Sequence, residues 1–308
     1  GYTAPTVTIT NTSANTTGYT ITPTGGKATN YTFKYVSGKL IINPKSITSS
    51  DVKYALDTTS YTYNGTARTP GVTVTDGTTQ LVKGTDYTVN YTNNTNAGTA
   101  TVTIKGTGNY SGTKTLTFTI KKVTLTVSGT SNSKPYDGNT TATGSEPTLT
   151  GAVNSETPVL KSTYTYEFSN ANAGSNKTVY VKNLELEDVW KTNYQLSSSS
   201  LTLTNGTINK VQLTATYKSE TVEYGTRPNW VVEITGFVNK ETESVLTTKP
   251  TVSNTNTALG VYTLTPAGGA ATNYSFKYVS GTLTIIKKYF SIKFDVTIKA
   301  SVYDGTLI

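Results

Sequence analysis

The chain of 308 residues contains no cysteine, no histidine and no methionine. Those absences exclude disulfides, thiolate and imidazole metal ligands, and the sulfur groups that oxidise most readily. They also shrink the pool of groups that could serve as nucleophile or general base to carboxylates, lysine, tyrosine and hydroxyls. Charge is sparse, at 14% of residues, and the 26 basic against 18 acidic residues give a net charge of +8 over the whole length. The lysines gather only as pairs, at Lys121-Lys122 and Lys287-Lys288. Such a spread serves solubility, and a nucleic-acid partner is not expected. There is no apolar run long enough to cross a membrane as a helix and no charged-then-apolar leader, so the chain is expected to be mature, processed or excised.

What the chain does have is repetition. Gly25-Gly26-Lys27-Ala28-Thr29-Asn30-Tyr31-Thr32-Phe33-Lys34-Tyr35-Val36-Ser37-Gly38 returns as Gly268-Gly269-Ala270-Ala271-Thr272-Asn273-Tyr274-Ser275-Phe276-Lys277-Tyr278-Val279-Ser280-Gly281. Its Asn-Tyr pair stands at Asn30, Asn109, Asn193 and Asn273, a period of about 80 residues that marks a tandem array. A tyrosine followed closely by glycine opens the copies at Tyr63, Tyr136, Tyr224 and Tyr303. A third marker is a glycine heading a threonine-rich stretch, at Gly18, Gly98, Gly174 and Gly260, and two copies of it read Asn-Ala-Gly. The resulting division is 1–45 as the later half of a repeat, 46–122, 123–210 and 211–288 as whole repeats, and 289–308 as the opening strands of another. Such a chain reads as a window on a longer array.

Alternation of apolar residues with threonine, as in Leu116-Thr117-Phe118-Thr119-Ile120, places successive side chains on opposite faces of a strand. Threonine suits the wet face, since its branched side chain favours extended backbone and its hydroxyl keeps the face soluble. Turn formers separate the runs at about eight to twelve residues, the spacing of an antiparallel sandwich. No segment offers an apolar stripe at helical spacing, and almost no helix is expected. Tyr31, Phe33 and Tyr35, with their counterparts Tyr274, Phe276 and Tyr278, are candidates to fill or cap the core. Closing runs pass into opening runs without a Gly/Ser or Pro linker, as at Ile120-Lys121-Lys122-Val123. Short stiff joints and an elongated rod follow, with the joint lysines guarding exposed strand ends.

The Tyr-Asp-Gly openings at Tyr136 and Tyr303, the Tyr-Gly opening at Tyr224, and Asn-Tyr followed by Gly-x-Leu-x-Ile resemble the YDG-type and MBG-type immunoglobulin-like repeats of large bacterial surface proteins and adhesins. By this resemblance 123–210 is of YDG type with an insertion and 211–288 of MBG type. The segment Tyr61 to Ile120, with Gly84-Thr85-Asp86-Tyr87 and Asn109-Tyr110-Ser111-Gly112, is similar to a related repeat. The resemblance implies an all-β array of tandem immunoglobulin-like β-sandwich domains set end to end as an elongated rod. It further implies an extracellular place on a bacterial cell surface or wall, with attachment through parts outside this segment. It carries over no catalytic residue.

Candidate sites are few. Glu185, Glu187 and Asp188, and the weaker pair Glu241 and Glu243, are the acidic clusters that glycosidase chemistry would draw on; they read instead as a solvated loop or strand face, and they lack the loop pattern of a calcium site. Gly106-Thr107-Gly108 and Gly25-Gly26 sit between strands and are turns rather than phosphate cradles. No catalytic, cofactor or metal residue is expected. Trp190, in the stretch that lengthens the third repeat, and Trp230 are the least repeated aromatics and the candidate ligand contacts, with core or joint packing as the alternative. A lysine–asparagine amide crosslink is a further chemistry open to a cysteine-free surface rod. Asn-x-Ser/Thr sequences at Asn11, Asn64, Asn109 and Asn176 are frequent because the chain is rich in both residue types. The expected function is a structural stalk or spacer. Alternatives are a segment that itself binds host or microbial glycans or glycoproteins, and a filament formed by strand exchange between the partial end repeats.

Overall fold

A computed structural model describes residues 1–295; the Tyr303-Asp304-Gly305 opening lies outside the described residues. Strand follows strand, and the single helical turn is the 3-10 turn Glu243–Val245, so the described residues contain no α-helix. The chain divides into two compact units. One comprises Gly1–Gly129, Glu146–Tyr164 and Lys182–Leu201, the other Thr130–Ser145, Thr165–Val181 and the chain from Thr202 onward, so the division runs through the third repeat.

In the first unit the second repeat forms a four-stranded sheet, in the order Tyr87–Thr92, Gly98–Gly106, Thr113–Lys121, Ser60–Thr62. A three-stranded sheet of Val52–Leu56, Val72–Asp76 and Thr79–Gln80 accompanies it. Val74, Ala100, Val102, Ile104, Phe118 and Ile120 are buried between threonines that face outward or lie half-covered. From the third repeat this unit takes Val123–Ser128, where Val123, Leu125 and Val127 are buried and Thr124, Thr126 and Ser128 exposed. That is the period of two expected of a strand with one wet face.

In the second unit the rest of the third repeat makes a five-stranded sheet, ordered Lys134–Pro135, Leu201–Asn209, Gly174–Lys182, Thr165–Phe168, Thr141–Ala142. The fourth repeat forms two three-stranded sheets, Val232–Thr235 with Val211–Tyr217 and Tyr274–Val279, and Glu220–Glu223 with Gly281–Ile286 and Gly260–Leu264. Tyr217 from one sheet and Leu283 and Ile285 from the other form one buried cluster.

Two features differ from the sequence reading. Pairing is mixed rather than purely antiparallel: the strand after each joint runs parallel to the Asn-Tyr strand of its own repeat, at Lys45↔Tyr110, Val123↔Tyr194 and Val211↔Tyr274. The opening strand likewise runs parallel to the closing strand, at Tyr61↔Ile120, Pro135↔Asn209 and Val222↔Ile285. Alternation reports which face a side chain takes and not the direction of the neighbour, and the long connections between these partners permit parallel pairing. Secondly, Tyr31 is 80% exposed and Tyr35 is also exposed, whereas Tyr274 is 2% exposed. Tyr274 pairs with Val211, and among the described residues no strand pairs with Tyr31.

Candidate functional site

The recurring markers converge where one repeat meets the next, and they do so twice. In the first unit Tyr63, from the opening of the second repeat, donates to Glu156 Oε1 at 2.7 Å. Tyr194, from the Asn-Tyr pair of the third repeat, donates to Glu156 Oε2 at 2.6 Å. In the second unit Tyr136, from the opening of the third repeat, donates to Glu241 Oε1 at 2.7 Å, and Tyr274 of the fourth donates to Glu241 Oε2. The rings of each pair meet edge to face, with centroids 5.7 Å apart at 79° for Tyr63 and Tyr194 and 5.6 Å apart at 78° for Tyr136 and Tyr274. Edge-to-face contact suits the aromatic quadrupole and leaves both hydroxyls free to converge on one carboxylate.

Asparagine fastens the other side of each joint. Asn193 Oδ1 accepts from Ala97 N at 2.9 Å, and Asn273 Oδ1 accepts from Ala173 N at 2.9 Å. Their amide groups donate in turn to Asn96 Oδ1 at 3.2 Å and Asn172 Oδ1 at 3.3 Å. The repeated Asn-Ala-Gly thus supplies both an acceptor and a backbone donor to the following repeat. Two of the joint lysines belong to the same arrangement: Lys122 Nζ donates to the carbonyl of Lys191, and Lys210 Nζ to that of Ala271 at 2.8 Å.

The carboxylates sit on matching turns, Val153-Asn154-Ser155-Glu156 and Val238-Asn239-Lys240-Glu241. Both central residues of each turn take positive φ, at 56° and 56° in one and 55° and 61° in the other, and the glutamate N–H closes the turn onto the valine carbonyl at 3.0 and 2.9 Å. Asparagine tolerates the left-handed region better than other non-glycine residues, which fits it to the first of these places. A Cβ on Gly65 would lie 2.5 Å from Asn154 Nδ2 and one on Gly138 2.4 Å from Asn239 Nδ2, and both glycines sit at positive φ. The glycine of the Tyr-x-Gly marker is therefore required twice over, by backbone conformation and by the turn packed on it.

The electrostatics follow from burial. Tyr63 and Tyr136 are 6% and 7% exposed, and Tyr194 1%. The hydrogen bond to the Glu156 carboxylate, reinforced by burial, pushes the Tyr63 hydroxyl up to about 12. Burial first and Glu241 second push Tyr274 up to about 12. Glu156 is held below the usual carboxylate range by the two phenols that donate to it. The first joint is thus a neutral–anion–neutral bridge, whose hydrogen bonds are of the stronger, charge-assisted kind. A partial version joins the first repeat to the second: Asn109 Oδ1 accepts from Ala14 N at 2.7 Å, and Tyr110 donates to Asp76 Oδ2 at 3.0 Å. There Lys45 Nζ also lies on Asp76, at 2.6 Å.

Trp190 is half-buried with its ring 6.1 Å from that of Tyr194, so it backs a joint tyrosine instead of standing out from the surface. Trp230 is half-buried beside Tyr217 and lines a cavity in the fourth repeat. Glu185 and Asp188 are bound up with two lysines; Asp188 lies 2.7 Å from Lys191 and 3.0 Å from Lys161, which lower its carboxyl to about 2. Among the described residues no group of three or more acidic side chains is placed to hold a metal. Of the weaker acidic pair, Glu243 lies 2.8 Å from Lys249, while Glu241 is the carboxylate of the second joint and not a solvated one. Glu156 carried no signal in isolation; the shared pattern Val-Asn-x-Glu at 153 and 238 is the one that points to both.

Comparison with known families agrees with the markers. Residues 119–202 match the YDG domain, spanning Tyr136-Asp137-Gly138, and residues 213–284 match the MBG domain of YGX type, spanning Tyr224-Gly225. No curated protein matches the chain.

Proposed function

For a chain that carries a YDG domain followed by an MBG domain, we propose the role of a stalk segment in a bacterial surface protein. Its repeats are immunoglobulin-like sandwiches set end to end, and they hold a binding region away from the cell. The observation that carries this reading is the joint built twice from the same residues, with the Tyr63–Glu156 and Tyr136–Glu241 bonds both at 2.7 Å. Residues that a catalytic site would use once are here used at two boundaries. A spacer needs joints that resist bending, and a half-buried carboxylate that accepts from tyrosines of two repeats supplies directional bonds where a flexible linker supplies none. The protein acts outside the cell, attached through parts beyond this segment, and performs no catalysis.

Small-angle X-ray scattering of the purified chain tests the proposal. A stalk gives a long maximum dimension and a rod-like cross-section, retained at high salt because the joint tyrosines are buried. A compact particle, or a chain with the scattering of beads on a loose string, would overturn it.

A further inference from the structure

Each joint lies whole within one compact unit, the Tyr63 joint in the first and the Tyr136 joint in the second. Within a joint the two sides bring different parts. The following repeat assembles its side from its own residues. Tyr194 Oη accepts from Val153 N at 3.2 Å while it donates to Glu156, and Tyr274 Oη accepts from Val238 N at 3.2 Å while it donates to Glu241. An aromatic ring of the same repeat supports each tyrosine, Trp190 with centroids 6.1 Å apart and Phe237 with centroids 5.5 Å apart. Carboxylate, turn and first phenol are thus organised before the preceding repeat adds anything.

The preceding repeat carries its parts on a matched frame. Tyr63 N donates to Lys121 O at 2.9 Å and Tyr136 N to Asn209 O at 2.8 Å, and in both cases the next strand starts two residues later, at Val123 and Val211. Val123 N and Val211 N then donate to the carbonyls of Asn193 and Asn273, at 2.9 and 3.1 Å. The opening tyrosine is therefore held at one place relative to the crossing strand, whatever length of chain folds in between. Differences in sequence stay off the shared bonds. Asn64 Oδ1 accepts from Thr66 N and Asp137 Oδ1 from Asn139 N, each at 3.1 Å, so both side chains fold onto their own loops. Ser155 and Lys240, which differ inside the glutamate turns, are both exposed.

We propose that the joint is a transferable interface: the trailing face of either the second or the third repeat fits the leading face of either the third or the fourth. Tyr63 can complete Glu241 as it completes Glu156, and Tyr136 can complete Glu156 as it completes Glu241. Recognition lies in the phenol that donates to the carboxylate, the glycine that admits the Val-Asn-x-Glu turn, and the Asn-Ala pair that meets the asparagine. The second repeat does not share this leading face, because its Asn-Tyr tyrosine, Tyr110, donates to Asp76, on which Lys45 Nζ also lies at 2.6 Å. An array built this way gains or loses a whole repeat without new joint chemistry. Transfer depends on the joints alone, so it goes beyond the stalk reading and holds even where scattering from a compact particle removes that reading.

A second copy of residues 123–210, inserted after Lys210 of the complete chain, tests the transfer by amide hydrogen exchange. The insertion keeps both native joints and makes one new one, in which Tyr136 of the first copy meets Glu156 of the second. Ala173 then occurs twice, and both of its amides are expected to be protected. Asn193→Ala in the second copy alone should release the Ala173 amide of the first copy and leave Ala97 and the other Ala173 protected. In the converse chain, with 123–210 deleted, Ala97 should stay protected but come to depend on Asn273, so that Asn273→Ala releases it. Exchange of one Ala173 amide at the rate of an open loop in the insertion chain, while Ala97 stays protected, would overturn the proposal. So would loss of protection throughout that chain, since two third repeats in series would then be incompatible.

Discussion

Replacing Glu156 by alanine removes the acceptor of two buried hydroxyls that belong to different repeats. A hydrogen bond to a charged group contributes about 1.5–3 kcal/mol. Tyr194 keeps a weak alternative, the Val153 carbonyl at 3.3 Å, while Tyr63 at 6% exposure has no comparable acceptor in the described contacts. Glu156→Ala should therefore cost about 3 kcal/mol and Tyr63→Phe about 1.5 kcal/mol, with a coupling of about 1–2 kcal/mol between the two positions. Trp190 packs on Tyr194 and so reports the third repeat, to which Tyr63 does not belong. Denaturant unfolding followed by Trp190 fluorescence, in a Trp230→Phe background, measures all four chains of the cycle: the reference, each single variant and the double variant. Because arrays of repeats unfold in parts, the transition at this probe is the proper quantity rather than one value for the whole chain. Tyr63→Phe that leaves the Trp190 transition in place, or single effects that add within about 0.5 kcal/mol, would refute the coupling.

Acid should loosen the first joint. Glu156 has its carboxyl lowered in the folded chain, so the unfolded chain binds more protons, and the stability it contributes is present above the ordinary value of 4.5 and lost as pH falls through the folded one. Glu156→Gln should flatten that loss in the Trp190 transition. Alkali acts with the opposite sign: Tyr63 and Tyr274, raised from 10.0 to about 12, contribute stability below pH 10 that disappears towards pH 12, and phenolate absorbance should show them ionising after the exposed tyrosines. Gly138→Ala places a Cβ 2.4 Å from Asn239 Nδ2 at positive φ and should weaken the second joint by at least about 1–2 kcal/mol, read from Trp230 in a Trp190→Phe chain. Asn273→Ala, which frees the Ala173 amide, should cost about 1 kcal/mol by the same probe.

The period, the strands and the markers were legible in the sequence, because alternation and recurrence are local properties of a chain. What the markers do was not. The repeated tyrosines suggested a design internal to each repeat, yet Tyr63 meets a partner 93 residues away and Tyr136 one 105 residues away, both beyond a single period. A marker that contacts the next copy of the array looks, in one copy, like a core residue. Glu241 was set aside with Glu243 as a solvated acid because nothing in a lone carboxylate distinguishes a half-buried bridge from a wet face. Trp190 stood out by being unrepeated, and its place behind Tyr194 depends on an insertion that no other repeat shares.

The most direct measurement is amide hydrogen exchange at Ala97 and Ala173, whose N–H groups are accepted by Asn193 and Asn273 of the following repeat. If the markers fasten each repeat to the next, both amides are protected in the native chain. Asn193→Ala then releases Ala97 alone and Asn273→Ala releases Ala173 alone. Exchange of both amides at the rate of an open loop in the native chain would contradict the account.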